Sequence, residues 1–304
     1  MSANEDTTMK NSTQRRLAGR VAFVTGASRG MGRSIAVAFA DEGAAVAVVA
    51  RSETVWNDKL PGTIHETVAE ITERGGRAVA IAADLGNMPE VEAAYDKAVE
   101  LLGPIDLLVN NAALTVPGRP PRESDAKQPD GAPVQRAAPR GPFGSFLDFP
   151  LSGVQRHLAV GSFASYRLMQ LCLPDMIERR HGSIINISSI AGLVPGEGPY
   201  RAAGTPGPLA YGGNKALLHH LTQCVAQEMQ PYGIAVNVLS PSEPVITPGN
   251  MYAMRHNTEW ASPEDFAEAT VRVALMSADE TTGQLLWDAD VLHPELGRRG
   301  WLRD

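Results

Sequence analysis

VAFVTGASRGMG, at residues 21–32, joins an apolar run of strand length to a glycine-rich turn. Gly26 allows a tight turn, Gly30 allows the backbone to approach a pyrophosphate, and Gly32 allows the next helix to pack closely. The first amides and the dipole of that helix favour an anion. The alternative is a merely tight loop, but the flanking strand and helix favour a dinucleotide site. The predicted binding residues here are Gly26, Ser28, Arg29, Gly30, Met31 and Gly32.

Short apolar runs alternate with longer amphipathic runs along the rest of the chain. The former have the length of buried strands, and the latter have helical periodicity. Strands that alternate with helices pair in parallel through right-handed crossovers. We therefore expect an α/β fold: a single-domain, Rossmann-type, doubly wound parallel sheet flanked by helices. Strands are predicted at 21–25, 44–50, 78–83, 105–110, 183–188 and 235–240, and helices at 30–42, 65–74, 89–102, 153–180 and 211–232.

Three segments interrupt this alternation. Residues 1–16 are polar and predict a disordered tail ahead of one domain over 17–304. An insertion near 115–150 holds too many prolines for a helix, and it is either a lid or a disordered excursion. A second Gly/Pro-rich insertion lies near 195–208. Ligands bind beyond the carboxyl ends of parallel strands, so both insertions are candidates for shaping a substrate site.

Composition excludes several classes of protein. The chain is 43% apolar and 20% charged, as expected for a soluble globular protein. No apolar run approaches the ~20 residues that cross a bilayer. The polar N-terminus lacks the apolar core of a signal peptide, so we expect no membrane partner and a cytoplasmic location. A net charge of −7 argues against a nucleic-acid partner, because phosphate binding depends on Lys and Arg.

The cysteines and histidines do not predict a metal site. Cys172 and Cys224 lie in apolar, apparently helical segments without metal-like spacing, which predicts buried free thiols. His65, His219 and His220 have no accompanying third ligand, and we expect them to be solvated or packed helix residues.

Tyr211 is followed by Lys215, one helical turn later. A phenol with a pKa of about 10 is a poor acid or base at neutral pH, and a fixed cation beside it favours the phenolate. The pair therefore indicates a group that exchanges a proton with an alcohol or a ketone.

Five motifs resemble, in their order, those of the short-chain dehydrogenase/reductase family. They are Thr25-Gly-x-x-x-Gly-x-Gly32, Asp84-Leu85, Asn110-Asn111-Ala112-Ala113, Ile187-Ser188-Ser189 and Tyr211-x-x-x-Lys215. The resemblance extends from about residue 17 to residue 292. It implies an NAD(P)-dependent dehydrogenase/reductase acting on CH–OH and C=O groups, with about seven strands and a homo-oligomeric assembly, a tetramer or a dimer.

The resemblance also implies roles for individual residues. Ser189 would hydrogen-bond the substrate oxygen, Tyr211 would be the acid/base, and Lys215 would bind the nicotinamide ribose and lower the pKa of Tyr211. Asp84 and Leu85 would meet the adenine. The other implied cofactor residues are Asn111 and Ala113, with Pro241, Val245 and Thr247 from a stretch that is one residue longer than usual and carries Ser242 in place of Gly.

Tyr200 competes with Tyr211 for the catalytic place. It lies eleven residues after Ser189, near the family's usual interval, but Gly204 follows it where Lys215 follows Tyr211. We prefer Tyr211, since a loop can absorb the longer interval at a small cost in closure entropy. Tyr200 is then either a pocket-wall residue or an ordinary exposed loop residue.

Arg51 decides the predicted cofactor. An acidic residue at the end of the second strand would bind the ribose 2'-hydroxyl of NAD, whereas this chain has Arg51 there. Arg51 and Arg29 can both offer charge-assisted contacts to a 2'-phosphate, which favours NADP(H) over NAD(H). The alternative is that Arg51 is a solvated loop charge.

Gly161 departs from the family pattern. It stands where the family carries a fourth catalytic residue, an Asn whose backbone helps hold a water beside the Lys. A glycine inside a helix costs about 0.5–1 kcal/mol relative to Ala, so it needs a reason: close backbone approach, a kink, natural divergence or an engineered substitution. We expect Gly161→Asn to alter turnover or its pH profile.

These observations favour an NADP(H)-dependent oxidoreductase that interconverts a secondary alcohol and a ketone or aldehyde. The apolar residues after Thr247, which are Met251, Tyr252, Met254 and Trp260, favour a carbonyl reductase for a fairly bulky, hydrophobic substrate. One alternative is a catalytically impaired NADP-binding sensor or assembly partner. Another is a reductase of imines or activated double bonds on the same framework.

Overall fold

Seven parallel strands form one sheet in the described part of the chain, in the order β3-β2-β1-β4-β5-β6-β7. The computed structural model describes residues 15–55, 57–114, 146, 149–193, 209–253 and 260–296. The strands are β1 (Val21–Thr25), β2 (Ala45–Ala50), β3 (Arg77–Ala82), β4 (Leu107–Asn110), β5 (Gly182–Ile187), β6 (Ile234–Ser240) and β7 (Leu285–Trp287). The predicted Rossmann-type fold class is confirmed.

Helices connect successive strands and cover both faces of the sheet. They are α1 (Gly30–Asp41), α2 (Ile64–Glu73), α3 (Met88–Leu102), α4 (Leu151–Leu158), α5 (Ala164–Arg179), α6 (Leu209–Met229), α7 (Pro248–Ala253), α8 (Pro263–Leu275) and α9 (Asp288–Leu292). The predicted helix over 153–180 is divided, because a π-helical segment, Ala159–Phe163, joins α4 to α5. The sequence pattern did not predict α8, although Ser262 caps its first amides and Pro263 occupies its first position.

The core lies on both sides of the sheet, because alternate side chains of a strand point to opposite faces. In β1, Val24 packs in the cluster that contains Phe39 of α1 and Phe266 of α8. Phe23, the preceding residue, packs in the opposite cluster with Leu168 of α5. Both faces of β1 are therefore covered, which leaves the carboxyl ends of the strands as the place where side chains can meet a ligand.

Several predictions lie wholly or partly outside the described residues. Of the predicted tail, only Arg15 and Arg16 are described, and Arg16 forms ion pairs with Glu42 and Glu268. The insertion near 195–208 lies outside them, as does the 115–150 insertion apart from residues 146, 149 and 150. Tyr200 and Met254 are also outside.

Two other predictions concern residues that are described. Cys172 is buried and free as predicted, but the prediction of a buried Cys224 was wrong, because that free thiol is exposed on α6. Within the described ranges, no helix has the length and apolar character needed to span a bilayer.

Candidate active site

The glycine-rich turn lies between β1 and α1, where the strand order changes direction. The φ angle is +68° at Gly26 and +55° at Gly30, a region that side chains rarely adopt. A Cβ at Gly32 would lie 2.4 Å from the Gly26 carbonyl oxygen, so the third glycine is required for close packing. The turn thus brings the first amides of α1 to the surface at the point where parallel sheets bind ligands.

Asn111 holds this turn from the end of the neighbouring strand, β4. Its Nδ2 donates to the Thr25 carbonyl oxygen at 2.9 Å, and its backbone amide donates to Thr25 Oγ1, also at 2.9 Å. Ala112 N donates to the same hydroxyl at 3.0 Å. The structure thus gives Asn111 a bracing role, while the lining role predicted for Asn111 and Ala113 stays a prediction.

Arg29 places a guanidinium at the end of β2. Its Nη2 donates to Ser52 Oγ at 2.8 Å and to the Gly62 carbonyl oxygen at 2.9 Å. Its Nε is buried without a hydrogen-bond partner among the described residues, and burial lowers the pKa of this arginine. A buried donor beside the amides of α1 fits an anionic group. The turn and Arg29 therefore fit the phosphates of a dinucleotide.

Asp84 forms an ionic contact beyond β3, where the sequence predicts the adenine. Its side chain accepts from Gly86 N at 3.0 Å and from Arg156 Nη2 at 3.3 Å. Burial acts to raise the pKa of Asp84, but the Gly86 amide and the charges of Arg156 and Arg51 outweigh it, so the pKa is lowered. Asp84 is thus an ionised carboxylate near Arg51. Leu85 beside it is buried in the core.

Ser189 and Tyr211 are brought together by the approach of α6 to the end of β5. Ser189 caps a short 3-10 turn, Ile190–Gly192, and its side chain lies close enough to Tyr211, in the first turn of α6, to affect the pKa of the phenol. Gly212 permits this approach, since a Cβ there would lie 2.5 Å from the Ala191 carbonyl oxygen. The structure therefore brings Ser189 and Tyr211 together, while the catalytic roles predicted for them stay predictions.

Lys215 lies one turn further along α6 and is buried. Its Nζ donates to the Ile187 carbonyl oxygen at 2.6 Å and lies 5.6 Å from the centroid of the Tyr211 ring. Burial lowers the pKa of Lys215 to about 8. The ammonium is therefore beside the phenol, as the spacing predicts, and its protonation is sensitive to mildly alkaline pH.

The pKa of Tyr211 moves in the direction opposite to the one predicted. Burial raises it, and the hydrogen bond with Ser189 lowers it by a smaller amount, so the net direction is upward. The prediction considered the charge of Lys215 but not the burial of the phenol, which disfavours the phenolate.

Gly161 lies in the π-helical segment, opposite Asn214 of α6. Its missing side chain would overlap the carboxamide of Asn214, with a Cβ only 2.2 Å from Nδ2. Of the four reasons that the sequence allows for this glycine, close approach is the one that the geometry supports.

The stretch after β6 places its three predicted residues in different surroundings. Pro241 is partly buried directly after the strand, and Val245 is fully buried in the core. Thr247 lies against the glycine-rich turn, because a Cβ at Gly30 would be 3.2 Å from its Cγ2. Of the three, Thr247 thus presents its side chain to that turn, while the cofactor role predicted for Pro241 and Val245 stays a prediction.

Sequence reasoning did not identify two histidines of this site. The His157 ring meets the Tyr211 ring edge to face with centroids 6.5 Å apart. His219 Nε2 is 2.6 Å from Ser188 Oγ. A signal was available for His157, since it precedes Gly161 by four residues and so shares its helix face. His219 likewise follows Lys215 by four residues.

Known proteins share this architecture. The chain matches the family described as short chain dehydrogenase over residues 20–257. It is 31% identical to L-rhamnose 1-dehydrogenase (NAD(P)(+)) of Sphingomonas sp. strain SKA58, over 89% of this chain and 94% of that protein. It is 29% identical to 7alpha-hydroxysteroid dehydrogenase of Escherichia coli strain K12, over 91% and 96% of the two chains.

A solved short chain dehydrogenase of Burkholderia cenocepacia J2315, in complex with NADP, is 26% identical, with a TM-score of 0.67 over 90% of this chain and 97% of that one. The family match covers most of the chain, and the seven-stranded sheet is the one that the motif order predicts. This protein therefore belongs to the short-chain dehydrogenase/reductase family and is an NAD(P)-dependent oxidoreductase that acts on alcohol and ketone groups.

Proposed function

We propose that this oxidoreductase is an NADP(H)-dependent carbonyl reductase for a fairly bulky, hydrophobic ketone or aldehyde. The observation that carries the proposal is the position of the buried Lys215 ammonium, 5.6 Å from the centroid of the Tyr211 ring, with Ser189 close enough to the phenol to lower its pKa. A donor, a proton carrier and a cation meet at one end of the sheet, next to the residues that fit a dinucleotide.

The three side chains divide the work of carbonyl reduction. Ser189 donates a hydrogen bond to the carbonyl oxygen and holds it against the Tyr211 hydroxyl. Tyr211 gives its proton to that oxygen as negative charge develops there, and it takes a proton in the reverse direction. Lys215 stabilises the phenolate that remains, because its Nζ is 5.6 Å from the ring centroid. The nicotinamide supplies the hydride when it is bound.

Two arginines at the end of β2 support the preference for NADP(H). Arg51 follows the strand where an acidic residue would select NAD. Arg29 Nη2 donates to the hydroxyl of Ser52, the residue after Arg51, so the Arg29 guanidinium lies at the same strand end. Planar, charge-assisted contacts of this kind suit a 2'-phosphate. One solved relative is a complex with NADP, while the name of the rhamnose enzyme includes both cofactors.

Apolar side chains around the carboxyl ends of β5 and β6 support a hydrophobic substrate. Ile190 and Leu193 are 42% and 40% exposed after β5, and Ile246 and Met251 are 42% and 53% exposed after β6. The two curated relatives differ here, since one is named for a sugar and the other for a steroid. The exposed apolar side chains favour the steroid-like class.

A ketone panel tests the activity. We expect steady oxidation of NADPH with bulky aromatic or alicyclic ketones, and loss of it in Tyr211→Phe. Imines and activated alkenes belong in the same panel, because reduction of these alone would replace the carbonyl proposal. Binding of NADPH without turnover of any compound would favour the sensor or assembly role instead.

Cofactor choice is tested by binding to the unmodified protein. We expect a lower dissociation constant for NADPH than for NADH, measured by the change in nicotinamide fluorescence. Tighter binding of NADH would contradict the preference.

We also propose that the protein is a homo-oligomer, a tetramer or a dimer, in the cytoplasm. Phe163, at the end of the π-helical segment, and Tyr166, in the first turn of α5, are 49% and 47% exposed, which is consistent with an interface there. Light scattering after size exclusion would give the mass of the assembly. A monomer at micromolar concentration would contradict the proposed oligomer.

A further inference from the structure

Residue 161 and residue 214 compete for one volume. A Cβ at Gly161 would lie 2.2 Å from Asn214 Nδ2, 2.3 Å from Oδ1 and 2.6 Å from Cγ. These distances are all shorter than any real contact, so the whole carboxamide stands where a side chain at 161 would begin. The Asn214 carboxamide can therefore occupy this volume only because residue 161 has no side chain.

Polar contacts hold the carboxamide in that volume. Asn214 is 1% exposed and Ser162 is fully buried. Ser162 Oγ is 2.7 Å from Asn214 Oδ1 and 3.0 Å from the Asn214 carbonyl oxygen, and it can donate to either. Burying an amide is costly unless it is hydrogen-bonded, so these contacts compensate for part of that cost. They connect α6 to the π-helical segment at both the side chain and the backbone of Asn214.

The π-helical segment is shaped for this contact. It inserts an extra residue into the helix between α4 and α5, and such bulges often occur at functional sites. The Gly161 carbonyl oxygen accepts a hydrogen bond from Ser165 Oγ at 2.5 Å, so a side-chain hydroxyl engages its backbone. The segment therefore places Gly161, which has no side chain, against Asn214. Ser162 contacts the Asn214 carboxamide, and Ser165 engages the Gly161 carbonyl oxygen.

Asn214 lies between the two reactive residues of α6. It follows Tyr211 by three residues and directly precedes Lys215. Any movement of its backbone shifts the phenol and the ammonium, and displacements of about 1 Å can lower turnover by as much as 100-fold.

We propose that Asn214 is a positioning residue, whose carboxamide fills the volume left by Gly161 and fixes the Tyr211–Lys215 turn of α6 against the π-helical segment. The catalytic part of this proposal rests on the proposed carbonyl reduction, whereas the exchange between residues 161 and 214 does not. The two parts have separate tests.

A double-mutant cycle in urea unfolding tests the exchange. Gly161→Ala lowers the unfolding midpoint, although Gly→Ala inside a helix is ordinarily stabilising. Gly213→Ala is the matched control, because no atom lies within 4 Å of its Cβ position, and it raises the midpoint or leaves it unchanged. In Asn214→Ala the added Gly161→Ala is tolerated. Additive effects of the two substitutions would overturn the exchange, since contacting residues are expected to couple.

A reciprocal pair tests the positioning. Asn214→Ala lowers kcat by roughly 10- to 100-fold with a smaller change in KM, because geometry rather than binding is lost. Gly161→Asn alone is also impaired. Gly161→Asn/Asn214→Ala, which returns a carboxamide from the other side, recovers turnover relative to both single variants. Unchanged kcat in Asn214→Ala, or a reciprocal pair no better than Gly161→Asn, would overturn the positioning role.

A titration independent of substrate separates the two proposals. Loosening the Tyr211–Lys215 turn of α6 admits water to Lys215, so its pKa rises from about 8 in Asn214→Ala, as followed by NMR of lysine-labelled protein. An unmoved pKa would contradict the positioning role whatever the substrate is. If the wild type reduces no ketone, the carbonyl proposal fails while the urea cycle and this titration still decide the role of Asn214.

Discussion

Glycines allow close approach at two places in this molecule, and the space beside them is used differently. At the turn after β1, the Gly26 carbonyl oxygen and Asn111 Nδ2 lie beside Gly32, and the first amides of α1 stay available to a ligand. At α6, the neighbouring side chains include a reactive residue, since Asn214 lies against Gly161, and Lys215 and His219 lie against Gly192. The first place suits an incoming anion, and the second holds its own reactive groups in position.

The two places also differ in the positively charged group that each one holds. The glycine-rich turn has the guanidinium of Arg29, which stays protonated at any ordinary pH even though burial lowers its pKa. The catalytic corner has the ammonium of Lys215, whose pKa falls to about 8. The permanent charge of Arg29 suits binding of phosphate, and the ammonium of Lys215 suits stabilisation of the Tyr211 phenolate. Mutations should therefore separate binding from turnover.

Among the substitutions that compare the two places, Ser189→Ala should have the largest effect, and kcat rather than cofactor affinity should fall. Removing one donor to a developing oxyanion lowers kcat by about 10²–10³-fold. The NADPH dissociation constant should change by less than about twofold, because Ser189 follows β5, two strands away from β1 and the glycine-rich turn. Steady-state kinetics with fluorescence titration of the cofactor gives both values.

Ser188→Ala is the matched control for that experiment. Its hydroxyl is hydrogen-bonded to His219 and not to Tyr211. An equal loss of turnover in Ser188→Ala would mean that packing at the end of β5, rather than the donor at 189, controls the rate.

The burial of Lys215 should appear as a pH dependence of stability. Its pKa is about 8 in the folded protein and about 10.5 in the unfolded chain. Between these values the unfolded chain binds more protons, so the free energy of unfolding rises with pH by roughly 1 kcal/mol per unit. Below pH 8 both states are protonated and the penalty for burying the charge is complete.

The difference between wild type and Lys215→Met isolates this contribution, because the other titrating groups are common to both. Urea unfolding from pH 7.5 to 10.5 should show wild type gaining stability relative to Lys215→Met. A constant difference would show that Lys215 keeps its ordinary pKa.

Gly32→Ala should impair binding at the other place. The added Cβ would meet the Gly26 carbonyl oxygen at 2.4 Å and Asn111 Nδ2 at 2.5 Å, both of which shape the turn. Overpacking costs about 1–3 kcal/mol, which corresponds to roughly 5- to 150-fold in the NADPH dissociation constant if the strain falls on the bound turn. Thermal unfolding checks that the fold is retained. A normal dissociation constant would mean that the turn can widen without loss.

The sequence predicts these two places unequally well. The turn after β1 is encoded locally, since strand, glycines and helix are consecutive, and its geometry follows from residues 21–32 alone. The catalytic corner depends on contacts between residues far apart in sequence. The pairing of Tyr211 with Lys215 is local and was predicted, whereas the contact of Gly161 with Asn214 joins two helices and has no local signal. The predicted direction of the Tyr211 pKa shift was wrong, because the burial that raises this pKa depends on how the whole fold packs.

Secondary structure was likewise predicted where its signal lies in consecutive residues. The long buried strands were predicted from their apolar runs, while β7, with three residues, is too short to show a period. The π-helical segment was not predicted either, because one extra residue within a helix scarcely changes its amphipathic pattern.

Arg51→Ser should have the smallest of the four effects, and it sharpens the comparison by testing charge without altering the glycines. Loss of one charge-assisted contact to the 2'-phosphate costs about 1.5–3 kcal/mol at most, and less at a partly exposed site. We expect NADPH binding to weaken by about tenfold while NADH binding and kcat at saturation stay nearly constant. Arg77→Ser, on β3, is the control for a general loss of positive charge. If both variants weaken NADPH and NADH equally, the end of β2 contributes only a diffuse field, and cofactor choice must come from elsewhere on the chain.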